Sequence, residues 1–452
     1  MHYISTRGGE RKYSFTEAFL AQRAEDGGYF VANDLPELSW QELMMCGADS
    51  RAIMLFEAFA PEFSGPDVMQ ILLDAFNDEA YPMGLLKAGP VNKYLAREQI
   101  IELDRGPSGS LFDFEHSLHL ALYKQLNLKR RLLIPPYPLR QLSFLAVRKC
   151  LGAGEEIPAD FLINKNCPEQ LAGVTEGDRF LKLGLRPPEL ELQLRQFNKS
   201  NIEIRELVDG SSPAAFLAYL IVLASGLAEL AEGDANYEPQ DFLIPTFDLQ
   251  LLMAALYLKA IGAPLKRLLI VNAANHQLSD FIRTGKYSNR RRFSSSEVCE
   301  YEDLWPSNLE KLVFELCGRN HELTKQFFDD LANKRQGQLP REYVQAWKPQ
   351  LAACYSNSKR AEQCQTSFYH ETDFYLDPYT SLLLAAGQYF MRGGEESYIF
   401  PLIARPWLPK IKNINEMARE AGLNVQSYYQ LEARLIKSRL QNFELVYGDP
   451  SQ

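Results

Sequence analysis

Cysteine is scarce and shows no paired spacing: there are seven in 452 residues, an odd number, and no two form a CxxC pair. That pattern excludes a disulfide framework and a structural zinc site, and it predicts a reducing compartment. The opening Met1-His2-Tyr3-Ile4-Ser5-Thr6-Arg7-Gly8 has no apolar core behind a basic start, so a cytoplasmic location is expected. Long apolar runs are also few. The longest, 213–228, falls short of the roughly 20 residues that cross hydrocarbon, and Glu229 and Glu232 follow it. A buried helix is expected there and no membrane span. Basic charge is in deficit, with 48 Lys and Arg against 58 Asp and Glu and a formal charge of −10. This opposes a sequence-independent grip on nucleic acid. Repeats, low-complexity tracts, a Ser-His-Asp pattern, a Walker loop and a dinucleotide fingerprint are all missing.

What remains is 46% hydrophobic and 23% charged, an ordinary globular composition with length for two or three domains. Ser14 with Glu17 three residues on predicts a capped helix start ahead of Phe15, Ala18 and Phe19. Asp26-Gly27-Gly28 then turns into a short strand at Tyr29-Phe30-Val31. Four later runs are apolar throughout: 131–134, 160–163, 241–244 and 267–271. They alternate with helical patterns, as do strands of a parallel sheet buried on both faces. An α/β class follows. Beyond about Ser288 the pattern is mostly helical, with helices expected over 308–316 and 377–390.

Several segments resemble threonine synthases in collinear order. They are Tyr3-Ile4-Ser5-Thr6-Arg7-Gly8, the 14–18 helix start, Asp26-Gly27-Gly28-Tyr29-Phe30-Val31, Ile244-Pro245-Thr246, 262–270, 280–287, Pro306-Ser307-Asn308-Leu309-Glu310, Gly318-Arg319 and 376–380. The resemblance implies a two-lobed enzyme fold of pyridoxal phosphate type II behind an N-terminal domain. The implied divisions are 1–85 for that domain, 86–125 with 205–452 for the large lobe, and 126–204 for a smaller, shortened lobe. The implied reaction is elimination and replacement of phosphate on O-phosphohomoserine, giving threonine.

Four positions depart from what the resemblance demands. The family's Schiff-base lysine lies in Gly-Pro-Thr-x-x-Phe-Lys-Asp. Here the segment is Gly106-Pro107-Ser108-Gly109-Ser110-Leu111-Phe112-Asp113, with Phe112 at the lysine. A phenyl ring neither condenses with an aldehyde nor moves a proton. The family's glycine-rich phosphate loop becomes Pro245-Thr246-Phe247-Asp248-Leu249-Gln250-Leu251, with Phe247 and Gln250 at glycine positions and the carboxylate of Asp248 where a phosphate would sit. The family's carboxylate-binding loop becomes Pro135-Pro136-Tyr137-Pro138-Leu139-Arg140, whose three prolines remove three amide donors. Ile403 stands where a threonine would meet the cofactor ring nitrogen, and it offers no hydrogen bond.

The expectation is a threonine synthase-like chain without the cofactor or the lyase reaction, acting by binding a phosphorylated or amino-acid-like ligand, a protein partner or a second copy. Asp113, Thr246, Arg283, Ser307 and Asn308 are its candidate residual cleft, with backbone turns and helix caps as the plainer reading of Arg283, Ser307 and Asn308. The alternative is an active, divergent enzyme using pyridoxal phosphate on a relocated lysine, for example Lys87, Lys93 or Lys165. Arg290-Arg291-Arg292 is read as a solvated loop, His116 and His119 as helix-face residues without a third metal ligand, and Asp377 as a helix cap before Pro378. No metal is expected.

Overall fold

The computed structural model describes residues 1–404 except 83, 86, 91–96, 154–155, 164–176, 183–204, 233, 235–236, 289, 291–297, 303–305, 373 and 392–396. A two-stranded antiparallel sheet of β1 (Tyr3–Ser5) and β2 (Phe30–Ala32) opens the chain. Between them runs the Phe15–Ala21 helix, started by the Ser14 and Glu17 capping box that the sequence predicts.

The rest is built on two sheets. The larger has the order β13-β10-β9-β14-β4-β3, from β3 (Ala88–Pro90), β4 (Glu98–Glu102), β9 (Gln240–Pro245), β10 (Leu265–Asn272), β13 (Leu351–Tyr355) and β14 (Tyr398–Leu402). All neighbours are parallel except β3 with β4. The smaller sheet is parallel throughout, β7-β6-β5-β8, from β5 (Arg131–Ile134), β6 (Ala159–Ile163), β7 (Arg179–Lys182) and β8 (Arg205–Leu207). The expected limit of the small lobe at 204 falls just short, because Arg205–Leu207 pairs with β5 and extends that sheet to Leu207. A separate antiparallel pair joins β11 (Lys286–Ser288) to β12 (Gln336–Gln338).

The all-apolar runs behave as expected. Every residue of β9 is buried, as are Leu132, Leu133 and Ile134 of β5. The described residues beyond Ser288 are mostly helical, as expected, but β13 and β14 also lie there and both join the larger sheet, which the sequence reading did not anticipate. Pro401 hides the second from sequence reasoning, because proline argues against an interior strand. It is tolerated here because β9 pairs with Tyr398 and Ile399 only, so Pro401 lies beyond the end of that ladder.

The long apolar run is the Pro213–Ala231 helix, with Ser212 as N-cap and Pro213 in its first turn. At 19 residues it is long and apolar enough to cross a membrane by composition, longer than the 213–228 run suggests. Its sides are nonetheless buried in protein, against the Ala48–Phe59, Phe112–Gln125 and Leu249–Ala260 helices. A helix apolar all round is stable when neighbouring elements cover every face, as here.

The N-terminal domain is held to the larger lobe by the apolar packing of its Ala48–Phe59 helix and by charge. Glu310, fully buried on the Leu309–Leu316 helix, accepts from Arg7 Nε at 2.9 Å, Arg7 Nη2 at 2.7 Å and Thr6 Oγ1 at 2.7 Å. A two-pronged guanidinium contact is the strong form of such a pair. Arg7→Met strands the carboxylate in the interior and is expected to destabilise the chain by about 3 kcal/mol. Urea unfolding at neutral pH reads this; a loss below about 1 kcal/mol would mean that the contact does not hold the domain.

Candidate functional site

In open α/β sheets the crevice beyond the carboxyl ends of the strands is the usual binding place. Here the ends of both sheets turn toward one another. The β9 end delivers Thr246, Phe247 and Asp248, the β8 end delivers Asp209 and Gly210, and the helix after β5 delivers Arg140. The Phe112–Gln125 helix runs between the lobes and contributes Phe112 and Glu115.

Arg140 lies at the centre, with a side chain only 4% exposed. Its guanidinium pairs closely with Glu115, stands 3.9 Å from Asp248 and has its Cζ 4.2 Å from the centre of the Phe112 ring. Asp248 N-caps the Leu249–Ala260 helix through Gln250 N at 3.0 Å and accepts from Tyr219 Oη at 2.6 Å. Burial raises the Asp248 carboxyl above its ordinary value, and Arg140 works against that rise. Gly210 lies against this group in a left-handed conformation, φ +75°; a Cβ there would come within 2.9 Å of Glu115 Oε2 and 3.0 Å of Arg140 Nη1. Only glycine meets both conditions.

Asp209 next to it is held by Arg23 of the N-terminal domain at 3.2 Å and by Ser211 N at 2.9 Å. Burial opposes ionisation of Asp209, but Arg23, Ser211 and Arg140 together bring its carboxyl below the usual value. Lys311 donates to Ser211 O at 2.7 Å, and burial lowers its amine to about 7. His116 shares a 2.7 Å hydrogen bond with Ser143 Oγ. Burial, reinforced by His119, lowers His116 well below its ordinary value, so it is neutral. Both histidines are buried instead of lying on an open helix face. Among the described residues no group of three or more ligating side chains is placed to hold a metal.

On the other side of Phe112 the filling is aromatic. Its ring is 5.9 Å from that of Phe247, which meets Tyr301 edge-on at 4.7 Å and Tyr379 at 5.8 Å. Tyr379 donates to Glu300, whose carboxylate also accepts from Leu139 N at 3.1 Å. The two described voids bordering these residues each measure about 10 Å³, room for one water.

The candidate cleft residues are mostly engaged with their own backbone. Asp113 accepts from Ser108 Oγ at 2.6 Å, Ser108 N at 2.9 Å and Gly109 N at 3.0 Å, tying down the loop before its helix. Gly106 is needed there, because a Cβ would lie 2.4 Å from Asp113 Cβ. Asn308 adopts a left-handed φ of +67° and donates to Gly210 O at 3.2 Å. Thr246 is buried at the β9 end and Ser307 is half-buried beside Asn308. Arg283 does not join them: its side chain is 64% exposed and pairs with Asp280 at 2.6 Å. Gln250 donates to Ser212 O at 3.2 Å. Ile403 is fully buried, its N–H on Thr380 Oγ1 at 2.9 Å and its carbonyl on Leu111 N at 2.9 Å. Asp377 caps the Pro378–Phe390 helix, as its sequence predicts. Lys87 is exposed; Arg290 is exposed and donates to Lys334 O at 2.9 Å. Lys93, Lys165, Arg291 and Arg292 lie outside the described residues.

Glu115, Asp209, Arg23, Tyr219 and Lys311 have no local motif that marks them. A lysine inside the apolar pattern Leu309, Leu312, Val313 is the one signal that sequence reasoning could have used.

Two α/β lobes whose strand ends meet at one crevice, behind a small N-terminal domain, define the architecture of the pyridoxal phosphate fold type II enzymes. The comparisons with known proteins are narrower. Residues 2–76 match the family model for the threonine synthase N terminus. The chain is 25% identical to threonine synthase-like 1 of Pongo abelii over 84% of its own length, and it spans 56% of that relative. It is 23% identical to threonine synthase of Pseudomonas aeruginosa, covering 86% of this chain and 84% of that one. Among solved structures it superposes on yeast threonine synthase with a TM-score of 0.81 at 16% identity, covering 92% of this chain and 90% of that one. A pyridoxal phosphate-bound threonine synthase from Brucella melitensis gives 0.78 at 17% identity, covering 93% and 91%. The fold is therefore that of the threonine synthases, and the chain is similar in sequence to threonine synthase-like 1 and to threonine synthase over most of its own length.

The central network makes two predictions. Arg140→Met leaves Glu115 and Asp248 buried without their cation and should lower stability in urea by about 3–5 kcal/mol. Adding Glu115→Gln should recover part of that loss; no recovery would mean that Arg140 acts by packing alone. The second concerns Asp377, whose carboxyl burial pushes up to about 7. A raised carboxyl binds its proton more tightly folded than unfolded, so its contribution is full below about pH 4 and is lost as pH rises through about 7. Asp377→Asn should therefore shrink the fall in unfolding free energy between about pH 5 and pH 8. An unchanged fall would assign the dependence to other groups, such as Asp113, which burial raises to about 6.

Proposed function

We propose that this chain is a threonine synthase-like protein that has given up pyridoxal phosphate and the lyase reaction, and that it acts by binding. The observation that carries the reading is the stacking of Arg140 on Phe112, 4.2 Å from the ring and anchored by Glu115. A cofactor aldehyde needs an amine where the resemblance puts Phe112, and its phosphate needs open donors where the resemblance puts the loop from Thr246 to Gln250. Instead a phenyl ring, a cation and a buried carboxylate already satisfy one another. Phe247 and Asp248 oppose a phosphate by bulk and by charge. Ile403 brings no side-chain donor or acceptor to the ring nitrogen, and its backbone is already used. The described residues thus do not fit the cofactor.

The test is a visible spectrum of the purified chain with added pyridoxal phosphate, followed by borohydride reduction and mass mapping of every lysine. The expected result is no aldimine band, no stoichiometric adduct and no phosphate released from O-phosphohomoserine. Phe112→Lys alone should not create the band, since Arg140 and Asp248 remain. A single stoichiometric adduct on any lysine of the unaltered chain would overturn the reading and make it a relocated-lysine enzyme.

A further inference from the structure

A second and much larger space lies away from the interlobe crevice. It measures about 540 Å³, between β2, the Pro213–Ala231 and Leu249–Ala260 helices and the Arg341–Trp347 helix. That volume is within the range of sites for small organic ligands, about 300–1,000 Å³. The walls are apolar and partly aromatic, including Phe30, Phe59, Phe216, Met253, Leu256 and Trp347. Phe216, Met253 and Leu256 remain only half-buried although their helices are otherwise packed in the core, and Leu35 on the same lining is 45% exposed. Apolar side chains left wet on interior helices mark a surface that gains by being covered.

Polar groups on the lining are few and lean one way. Lys311, 3% exposed, and Gln250, 1% exposed, both line the space and both donate to the turn before the Pro213–Ala231 helix, at Ser211 O and Ser212 O. Pro213 of that turn also lines the space, so these two side chains mark its polar end. Arg319 is on the lining with Glu315 at 3.5 Å, and burial raises the Glu315 carboxyl above its ordinary value, toward the neutral form. The groups whose charge reaches the Lys311 amine are Arg23, Asp209 and Asp248, and Arg23 spends itself on Asp209. With the amine protonated the lining therefore carries two cations against one weakened acid.

We propose that this cavity binds an amphipathic monocarboxylate, its chain against the aromatic walls and its carboxylate on the Lys311 ammonium. An anion there gives Lys311 a charged acceptor, where its amine now donates to the Ser211 carbonyl and lies 5.8 Å from the centre of the Tyr29 ring. The apolar body supplies the burial. This cavity borders the network around Arg140 through Lys311 and Gln250, but its ligand test does not depend on whether that crevice has lost pyridoxal phosphate.

Dodecanoate, dodecanol and dodecylamine share one chain and differ only in the head group. Calorimetric titration of the full chain at about pH 6.5, each ligand below its aggregation threshold, should give dodecanoate about tenfold tighter than dodecanol and no binding of dodecylamine, in line with the strength of a hydrogen bond between charged groups. Lys311→Met should weaken dodecanoate about tenfold and leave dodecanol within about twofold. Met253→Trp fills the space and should abolish both, with a melting curve to show that the variant folds. Equal binding of the acid and the alcohol, unchanged dodecanoate affinity in either variant, or no heat from any ligand would overturn the proposal. A dimer that Met253→Trp dissolves, with no response to dodecanoate, would overturn it too and give the cavity to a second copy. If Lys311→Met fails to fold, the head-group series and Met253→Trp still decide.

Discussion

A guanidinium cannot be taken out of water without compensation, and at Arg140 that requirement organises the centre of the molecule. Moving an ion of this kind into the interior costs several kcal/mol, which only well-placed opposite charges and hydrogen bonds offset. Glu115 comes from the helix that joins the lobes and Asp248 from the loop after β9. Asp209, whose carboxylate Arg140 also stabilises, follows β8 and is held in turn by Arg23 of the N-terminal domain. Each part of the chain therefore supplies a charge that another part needs. Phe112 completes the arrangement with a ring face, which attracts the cation without adding another buried charge.

The scaffold was legible wherever a local rule decides the outcome. The Ser14 capping box, the fully buried strand at 240–245 and the Asp377 cap before Pro378 follow from short-range hydrogen bonding or from unbroken apolar patterning. Strand 398–402 was not legible, because Pro401 is tolerated only through where the β9 ladder happens to end, and a ladder's end is not written in its own residues. The limit at 204 failed for a similar reason: a three-residue strand at 205–207 takes its identity from its partner, β5.

The site was legible as a set of replacements and illegible as an arrangement. Phe112, Phe247, Asp248 and Ile403 stood out against the resemblance, yet nothing in their neighbourhood announced that Arg140 would stack on the first and face the third. Arg140 itself was visible only as the residue ending a proline-rich loop. Those prolines have a structural use, since Pro138 opens the helix that carries Arg140 inward. The pairings that matter join residues tens to hundreds of positions apart, such as Lys311 with Ser211 and Thr6 with Glu310, and no window along the sequence holds both members.

This separation explains why the resemblance is carried by the scaffold more than by the central site. The segments that resemble threonine synthases are ones the fold itself demands. Arg7 and Glu310 hold a domain in place, Asn308 takes a left-handed turn, and Asp377 caps a helix, accepting from Tyr379 N and Thr380 N and from Ala404 N at 3.4 Å. Selection for a folded chain would keep all of them with or without a reaction. The positions that depart have no such duty in the resemblance, where a lysine, a glycine pair and a threonine serve a cofactor; on the reading proposed above, burial there favours side chains that satisfy one another. A ring, a paired carboxylate and an aliphatic side chain are what that pressure yields. On that reading the fold persists while its central site becomes core, and function is to be sought where polar groups and open space still coincide.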